Sequence, residues 1–484
     1  MPSFSSVDLQ ALLPQIILVS WASLLLLVVV FTKQARPSLV PVLTALGLLV
    51  AAVFVVFQFG MEAEGFGGML VVDGFSTFID LLLILGGLLT VALSYDYLQR
   101  MGMARGEYYS LLLFSISGMM LMASAADLIV VFLALELLSI PLYVLAAFGR
   151  PEPRSEEAGL KYFLLGAFAS GFLLYGIALV YGATGSTSFN SIVAAVNDGV
   201  DQPLYLILGA ALILSGLGFK VAAVPFHMWT PDVYHGAPTS VTAFMALGAK
   251  AAGFAALLRT FLVIFPSIAA QITPVLIAIT VATLIVGNLL AIAQNNVKRM
   301  LAYSSISHAG FILMAVVAYG NDAARFDVVA SALFYLLAFA FASFGSWAVV
   351  MALEQREGRG LEFKDYAGLG RKHPGLALAM AIFMLSFTGV PPTLGFAGKF
   401  FLFRAVLEGG YVGLAIIGML ASLISAYYYL RLVVIMYMQE GEPEVHKDRW
   451  LSFTAGLSAV ATVLLFIFSE PLFGWAAQAL LKVF

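Results

Sequence analysis

A glutamate and three lysines stand inside runs that are otherwise apolar: Glu136 in DLIVVFLALELLSIPLYVLAAFG, Lys220 in LSGLGFKVAAVPFHMWTPDVY, Lys250 in SVTAFMALGAKAAGFAALL and Lys399 in LSFTGVPPTLGFAGKFFLF. A lysine held away from water loses part of its hold on the proton, and a nearby carboxylate restores it, so groups of this kind can load and release protons. A charge at the centre of a membrane span costs about 2.5–3.5 kcal/mol on insertion scales, so charges kept there face protein, pair with one another or mark an ion path. Glu136 and Lys250 lie at the centres of their runs, too deep for a side chain to reach water at either end. The other charges in such runs have plainer readings. Arg259, Arg404 and Arg431 lie near run ends and are expected to anchor at interfaces. Lys161 follows Glu157 by four residues, the spacing of a helical ion pair, and Asp80 and Asp127 are expected to be solvated or to cap helices. His227 comes seven residues after Lys220 and would share its face if one helix ran through both.

The elements that position these groups follow from composition. Of 484 residues, 62% are hydrophobic and 11% charged, against about a quarter charged in soluble proteins. An all-α polytopic membrane protein is the expectation, in one membrane domain over residues 1–484. Apolar stretches between charged or Gly/Pro-rich breaks predict about fourteen spans of about 20 residues each. Lys and Arg fall in alternate loops, from Lys33 and Arg36 through Arg150, Lys298 and Arg356 to Lys447 and Arg449, while Arg325 and Lys482 fall on the other side. The positive-inside rule therefore predicts both termini on the non-cytoplasmic face. The start MPSFSSVDLQ lacks the basic residues of a secretory leader and reads as the approach to an uncleaved helix.

Two predicted spans, 203–229 and 375–407, exceed the length needed to cross and carry helix breakers beside a lysine: Gly216, Gly218 and Pro225 around Lys220, then Gly389, Pro391, Pro392, Gly395 and Gly398 before Lys399. Unwound backbone at membrane depth is tolerated only where it lines protein or water. A broken helix in corresponding places of two halves is the expected sign of inverted repeats. The repeats would be two five-helix units, 108–262 and 271–438, after three N-terminal helices in 1–107 and before a last helix at 451–475.

Several chemistries are excluded. No phosphate-cradling loop, metal-ligand cluster or nucleophile elbow is present, and the Gly-rich GMEAEGFGG at 60–68 reads as an extramembrane turn. With no cysteine there is no disulfide and no thiolate site for a metal or iron–sulfur cluster. A formal net charge of -3 gives no reason to expect a nucleic-acid partner.

GFKVAAVPFHMWTPDVYHGAPTSVTAFMALGAKAAGFAALLR, KRMLAYSSISHAGFILM, FLALELLSIPLYVLAAF and FTGVPPTLGFAGKF resemble the antiporter-like membrane subunits of respiratory complex I, and the likeness covers essentially the whole chain. Lys399, where one paralogue has glutamate, and an end at Phe484, before the long lateral helix of another, point to the N branch. The resemblance implies an ion pair of Glu136 with Lys220, a relay at Lys250, a terminal proton site at Lys399, a place for His308 on an internal polar axis and a less defined one for His227. It implies a proton-translocating subunit of a bacterial inner-membrane NADH:quinone oxidoreductase that binds no cofactor itself. NADH, FMN, iron–sulfur clusters and quinone are expected on other subunits, with paralogous antiporter-like subunits and lipids as neighbours. A component of an Mrp-type cation/proton antiporter has the same fold and lysines, and a scaffold would tolerate leucine at the central charges.

Overall fold

In hydrocarbon a backbone must satisfy its own hydrogen bonds, and uninterrupted helices do so locally. The computed structural model describes residues 5–31, 39–318 and 325–482. Among them, twelve helices are long and apolar enough to cross a membrane: Ser6–Phe31, Leu39–Phe57, Gly74–Arg100, Leu128–Ala146, Pro153–Thr184, Pro203–Val221, Thr239–Val263, Pro266–Ile292, Val297–Ala318, Asp327–Leu353, Val412–Met438 and Arg449–Ile467. The protein is thus an all-helical, multi-pass membrane protein, with one hairpin among the described residues.

Two of the fourteen predicted spans lie outside that set. Helix Glu107–Ser124 forms where 108–123 was expected, but Glu107, two tyrosines and four serines lower its hydropathy. The predicted 375–407 span is two helices, Pro374–Thr388 and Leu394–Glu408, of 15 residues each, and each alone covers only about 22 Å at 1.5 Å per residue. The Gly-rich stretch at 60–68 contributes to a small antiparallel hairpin, Ala63–Gly65 against Leu70–Val72, with Ala63 opposite Val72.

The helices are layered by burial. Thr239–Val263 is wholly enclosed, and Val297–Ala318 and Asp327–Leu353 nearly so, whereas Ser6–Phe31, Pro153–Thr184 and Arg449–Ile467 turn most of their surface outward. The Lys250 and His308 helices therefore form the middle of the molecule. At one end the basic loops pack together: Arg356 donates to the Arg100 carbonyl, Arg371 pairs with Glu440 and Lys372 with Glu442. At the other end Asp8 accepts from the Phe66 amide beside the hairpin, and Lys482 pairs with Glu64 at 2.6 Å. The two described ends of the chain are therefore on one side, opposite the basic loops. Lys33 and Arg36 lie outside the described residues, as does the side chain of Arg325.

Both expected breaks form, with the same local geometry. After Val221 the helix ends on Ala222 in the left-handed region (φ 63), with Ala222 N bonded to Phe219 O and Ala223 N to Gly218 O. After Thr388 it ends on Gly389 (φ 87), with Gly389 N on Ser386 O and Val390 N on Leu385 O. A proline follows three residues later in each case, Pro225 and Pro392. This is the Schellman closure of a helix C-terminus.

Two expectations fail here because distant parts of the chain pack together, and the condition set for His227 is not met. Arg259 does not reach for an interface. It is fully buried and grips Asp73 with both guanidinium nitrogens at 2.8 Å, while its Nε donates to Ala123 O. Asp80 is not solvated: it is buried two helical turns from Asp73, and its Oδ1 has no hydrogen-bond partner. His227 does not share a helix with Lys220, because Ala222 ends that helix. Other readings hold. Asp127 caps its helix through the Ile129 amide, Lys161 pairs with Glu157 at 2.7 Å and also with Asp232, Arg404 lies near a helix end on Glu408, and Arg431, two turns before the end of helix Val412–Met438, reaches Gln294 and Asn295.

Asp73 also caps helix Gly74–Arg100 through the Ser76 amide and accepts from the Lys482 amide, so it ties the chain's end to two helices. Arg259→Met leaves that carboxylate buried without its countercharge and should cost about 3–5 kcal/mol, whereas the Asp73→Asn, Arg259→Met pair should recover part of the loss. Thermal unfolding in detergent checks this; equal losses in single and double variants would refute the pairing argument.

Candidate functional site

All the predicted residues but His227 lie along a file of polar groups, and each is placed by a different local device. Glu136 comes from helix Leu128–Ala146, is half-buried and accepts from Ser170 Oγ on the neighbouring helix. Lys220, 1% exposed, sits in the last turn before the first break; its Nζ donates to Ser139 Oγ at 2.8 Å and Tyr162 OH at 3.0 Å. The ion pair expected between Glu136 and Lys220 is not a direct contact. Ser139, three residues beyond Glu136 on the same helix, takes the ammonium instead.

Lys250 follows one π-helical turn, Met245–Ala249, the kind of helix irregularity often found at functional positions. It is 3% exposed, and its Nζ donates to the backbone carbonyl of Ser305 and, at 2.6 Å, to that serine's hydroxyl. Gly253, one turn on, brings the Lys250 and Lys220 helices together: a Cβ there would lie 3.3 Å from Lys220 Cγ.

Helix Val297–Ala318 then carries the file onward along one face. Ser305 meets Lys250; three residues on, His308 meets Tyr335 OH through Nδ1 at 2.6 Å and Tyr429 OH through Nε2 at 3.1 Å. A further three residues on, the Phe311 ring centroid is 4.5 Å from Lys399 Nζ. A neutral imidazole can accept from one tyrosine and donate to the other. Tyr429 is shared with Ser304, and Asn288, between Ser307 and Tyr428, extends the polar cluster. A cavity of about 10 Å³ beside His308, Tyr335 and Ser386 has room for about one water molecule.

The second break supplies the acceptors for Lys399. A helix end leaves four carbonyls without partners. Here Leu385 and Ser386 are used by the Gly389 and Val390 amides, while Phe387 and Thr388 both accept from Lys399 Nζ, at 2.8 and 2.9 Å. The negative end of that helix faces a positive charge, which is favourable. Ser422 Oγ completes the set at 2.7 Å. His227 lies in the first break, buried, with Nδ1 unpartnered, and no hydrogen bond joins its side chain to the other five residues.

Sequence reasoning did not single out Ser139, Ser170, Ser305, Ser422, Tyr162, Tyr335 or Tyr429. Only the YYY run at 427–429 offered a signal, three phenols in an apolar helix.

Residues 125–425 match the family described as NADH:quinone oxidoreductase/Mrp antiporter, TM, a stretch containing Glu136, Lys220, His227, Lys250, His308 and Lys399. A protein of Chloroflexus aggregans named NADH-quinone oxidoreductase subunit N is 45% identical over 480 residues, covering 98% of this chain and 97% of that one. The chain belongs to this family. In solved structures, a chain of Thermus thermophilus respiratory complex I is 36% identical and superposes with a TM-score of 0.81, over 96% of this chain and 99% of that one. A chain of the Mrp complex from Dietzia superposes at 0.86 with 22% identity, over 98% of this chain and 97% of that one, a likeness of fold alone.

Family membership makes the break at Gly389 a position worth testing on its own terms. Its φ of +87 disfavours any side chain, and a Cβ would meet Lys399 Cδ at 2.9 Å; Gly410, at φ +84, has nothing within 4 Å. Gly410→Ala should cost about 1–2 kcal/mol for backbone alone, and Gly389→Ala that plus about 1–3 kcal/mol of overpacking. Melting both variants side by side in detergent checks the order; equal losses would mean Lys399 moves aside freely.

Proposed function

We propose that this chain is the N-type, antiporter-like subunit of a proton-translocating NADH:quinone oxidoreductase, a translocase component that performs no redox step. Electron transfer on other subunits, which carry NADH, FMN, iron–sulfur clusters and quinone, drives it, and paralogous antiporter-like subunits adjoin it in a bacterial inner membrane. The 45% identity to the Chloroflexus aggregans protein favours this over the Mrp reading, because both complexes share the fold.

The observation that carries the proton role is common to three lysines. Lys220, Lys250 and Lys399 each donate to a serine hydroxyl and to other neutral oxygens, and none has a carboxylate within ion-pair distance among the described residues. A carboxylate partner would hold the ammonium charged. A hydroxyl both accepts from the ammonium and, turned about its C–O bond, donates to the neutral amine. Such a seat lets the proton leave without baring an opposite charge.

In this reading Glu136, one turn from Ser139, modulates Lys220; Lys250 passes protons through Ser305 to the His308–Tyr335–Tyr429 cluster; and Lys399 is the terminal group. His227 has a minor part at the first break. The matched breaks support two inverted five-helix units, 108–262 and 271–438. Fourteen crossings follow if Glu107–Ser124 and the broken pair Pro374–Glu408 each span, an even number in keeping with both chain ends on one side. That side is the non-cytoplasmic one, opposite the basic loops.

Lys250→Met keeps much of the bulk but cannot carry a proton, and should abolish most proton pumping in a correctly assembled complex. NADH oxidation and proton uptake measured in the same membrane vesicles test it, and normal pumping would sink the relay. Lys399→Arg separates titration from fixed charge, because arginine is effectively never deprotonated in proteins. An assembled Lys399→Arg complex is expected to pump poorly; full pumping would reject a titrating Lys399.

A further inference from the structure

Away from the lysine file, the basic end of the molecule encloses a cavity of about 540 Å³ lined by Tyr97, Arg154, His235, Lys298, Glu354 and Arg356 among others. Two of these are buried charges that the mechanism above leaves unused. Lys298, 2% exposed, lies in the first turn of the His308 helix, and Glu354, 5% exposed, directly follows helix Asp327–Leu353. Their charged groups are 3.7 Å apart, and Lys298 Nζ also donates to the Ala237 carbonyl at 2.8 Å. The second carboxylate oxygen, Glu354 Oε2, is buried without a hydrogen bond of good geometry, and the Tyr97 phenol lies beside this carboxylate.

A half-satisfied carboxylate on a space that can admit water is costly as a structural device and useful as a proton acceptor. Part of the positive charge around the cavity is already engaged. Arg356 spends Nε and Nη2 on the Arg100 carbonyl, Arg150 is paired with Glu156, and Glu354 itself would repel a negative ligand. His235 adds no charge near neutrality, since burial and the nearby Lys298, Arg299 and Arg154 push its imidazole down to about 4.

The position is also telling. Ser305, which holds Lys250, follows Lys298 by seven residues and so lies on the same helix face, about 10 Å along the axis. Beside Ser305 is the hydroxyl of Tyr234, buried and without a hydrogen bond of good geometry. We propose that Glu354, held by Lys298 at the floor of this cavity, is the proton-collecting group that supplies Lys250 from the basic side. Glu354 takes up a proton that hydronium in the bulk delivers through the cavity water, and returns to the carboxylate as it passes that proton through water and the Tyr234 and Ser305 hydroxyls to the neutral Lys250 amine, which becomes the ammonium. This rests on the proton-translocating reading above.

The test uses the assembled complex in membrane vesicles. Glu354→Gln should lower proton pumping about tenfold or more, the scale of losing one proton-transfer group, while Glu354→Asp retains most of it. Because the chain has no cysteine, Ala237→Cys places a single thiol in this subunit at the Lys298 contact. A membrane-impermeant thiol reagent should modify it from the basic side only, and modification should block pumping. Wild-type pumping by Glu354→Gln overturns the proposal, as does an Ala237→Cys complex whose thiol is unreactive or which pumps normally once modified; the labelling result decides should Glu354→Gln not assemble. Normal pumping by Lys250→Met would instead sink the Lys250 relay on which this proposal rests, whatever Glu354→Gln does.

Discussion

The structure turns on one requirement: an ammonium inside a membrane must find its hydrogen bonds within the protein. Three lysines meet it with neutral oxygens, and much of the fold follows from where those oxygens have to be. Lys399 uses two carbonyls that exist as acceptors only because helix Pro374–Thr388 stops at Gly389. Lys250 needs the Ser305 carbonyl, although Ser305 lies inside a helix, and it reaches it from just after a π-helical turn. Lys220 reaches across to Ser139 and Tyr162 from a helix that can lie against the Lys250 helix only because residue 253 has no side chain. The enclosure of helices Thr239–Val263 and Val297–Ala318 then keeps these groups from the lipid.

The same requirement is met differently where charge is meant to stay. Arg259 and Asp73 are as buried as the lysines, yet they are joined by two 2.8 Å bonds, and the remaining capacity of Asp73 goes to the Ser76 and Lys482 amides. Nothing there can change protonation without leaving a bare buried charge. Burial alone therefore does not mark a proton site. The partner does: a carboxylate in bidentate contact fixes a charge, and a hydroxyl that can reverse its direction permits it to change.

The charged residues of the file were legible because a charge in an apolar run needs a reason, and the breaks were legible because Gly389, Pro391 and Pro392 cannot continue a helix. Their partners were not. A serine in an apolar helix commonly bonds its own backbone, as Thr90 and Ser94 do four residues back, and nothing local distinguishes Ser139 or Ser305 from these. Asp73 and Arg259 are 186 residues apart, so their pairing belongs to the packing of helices and not to any one stretch. Asp80 misled for the same reason, since a carboxyl about two turns inside a span reads as solvated until the C-terminal segment and the Arg259 helix close over it. Ala222 carried no sign of the left-handed turn it makes, because glycine usually marks that place.

Ala222 and Gly389 also show where the two halves differ. Both breaks close with the same pair of backbone bonds and place a proline three residues on, yet Lys220 precedes its break by two residues and Lys399 follows its own by ten. Lys220 is carried by the helix that ends, and its amine is held by side chains of other helices. Lys399 is carried by the helix that begins, and its amine caps the one that ended. A shift of the Glu136 helix would therefore act on Lys220 through Ser139 and leave the first break intact. In the second half, any change at Lys399 alters the capping of helix Pro374–Thr388, so charge and backbone are coupled there. Matching backbone geometry thus serves two different ways of holding one buried ammonium.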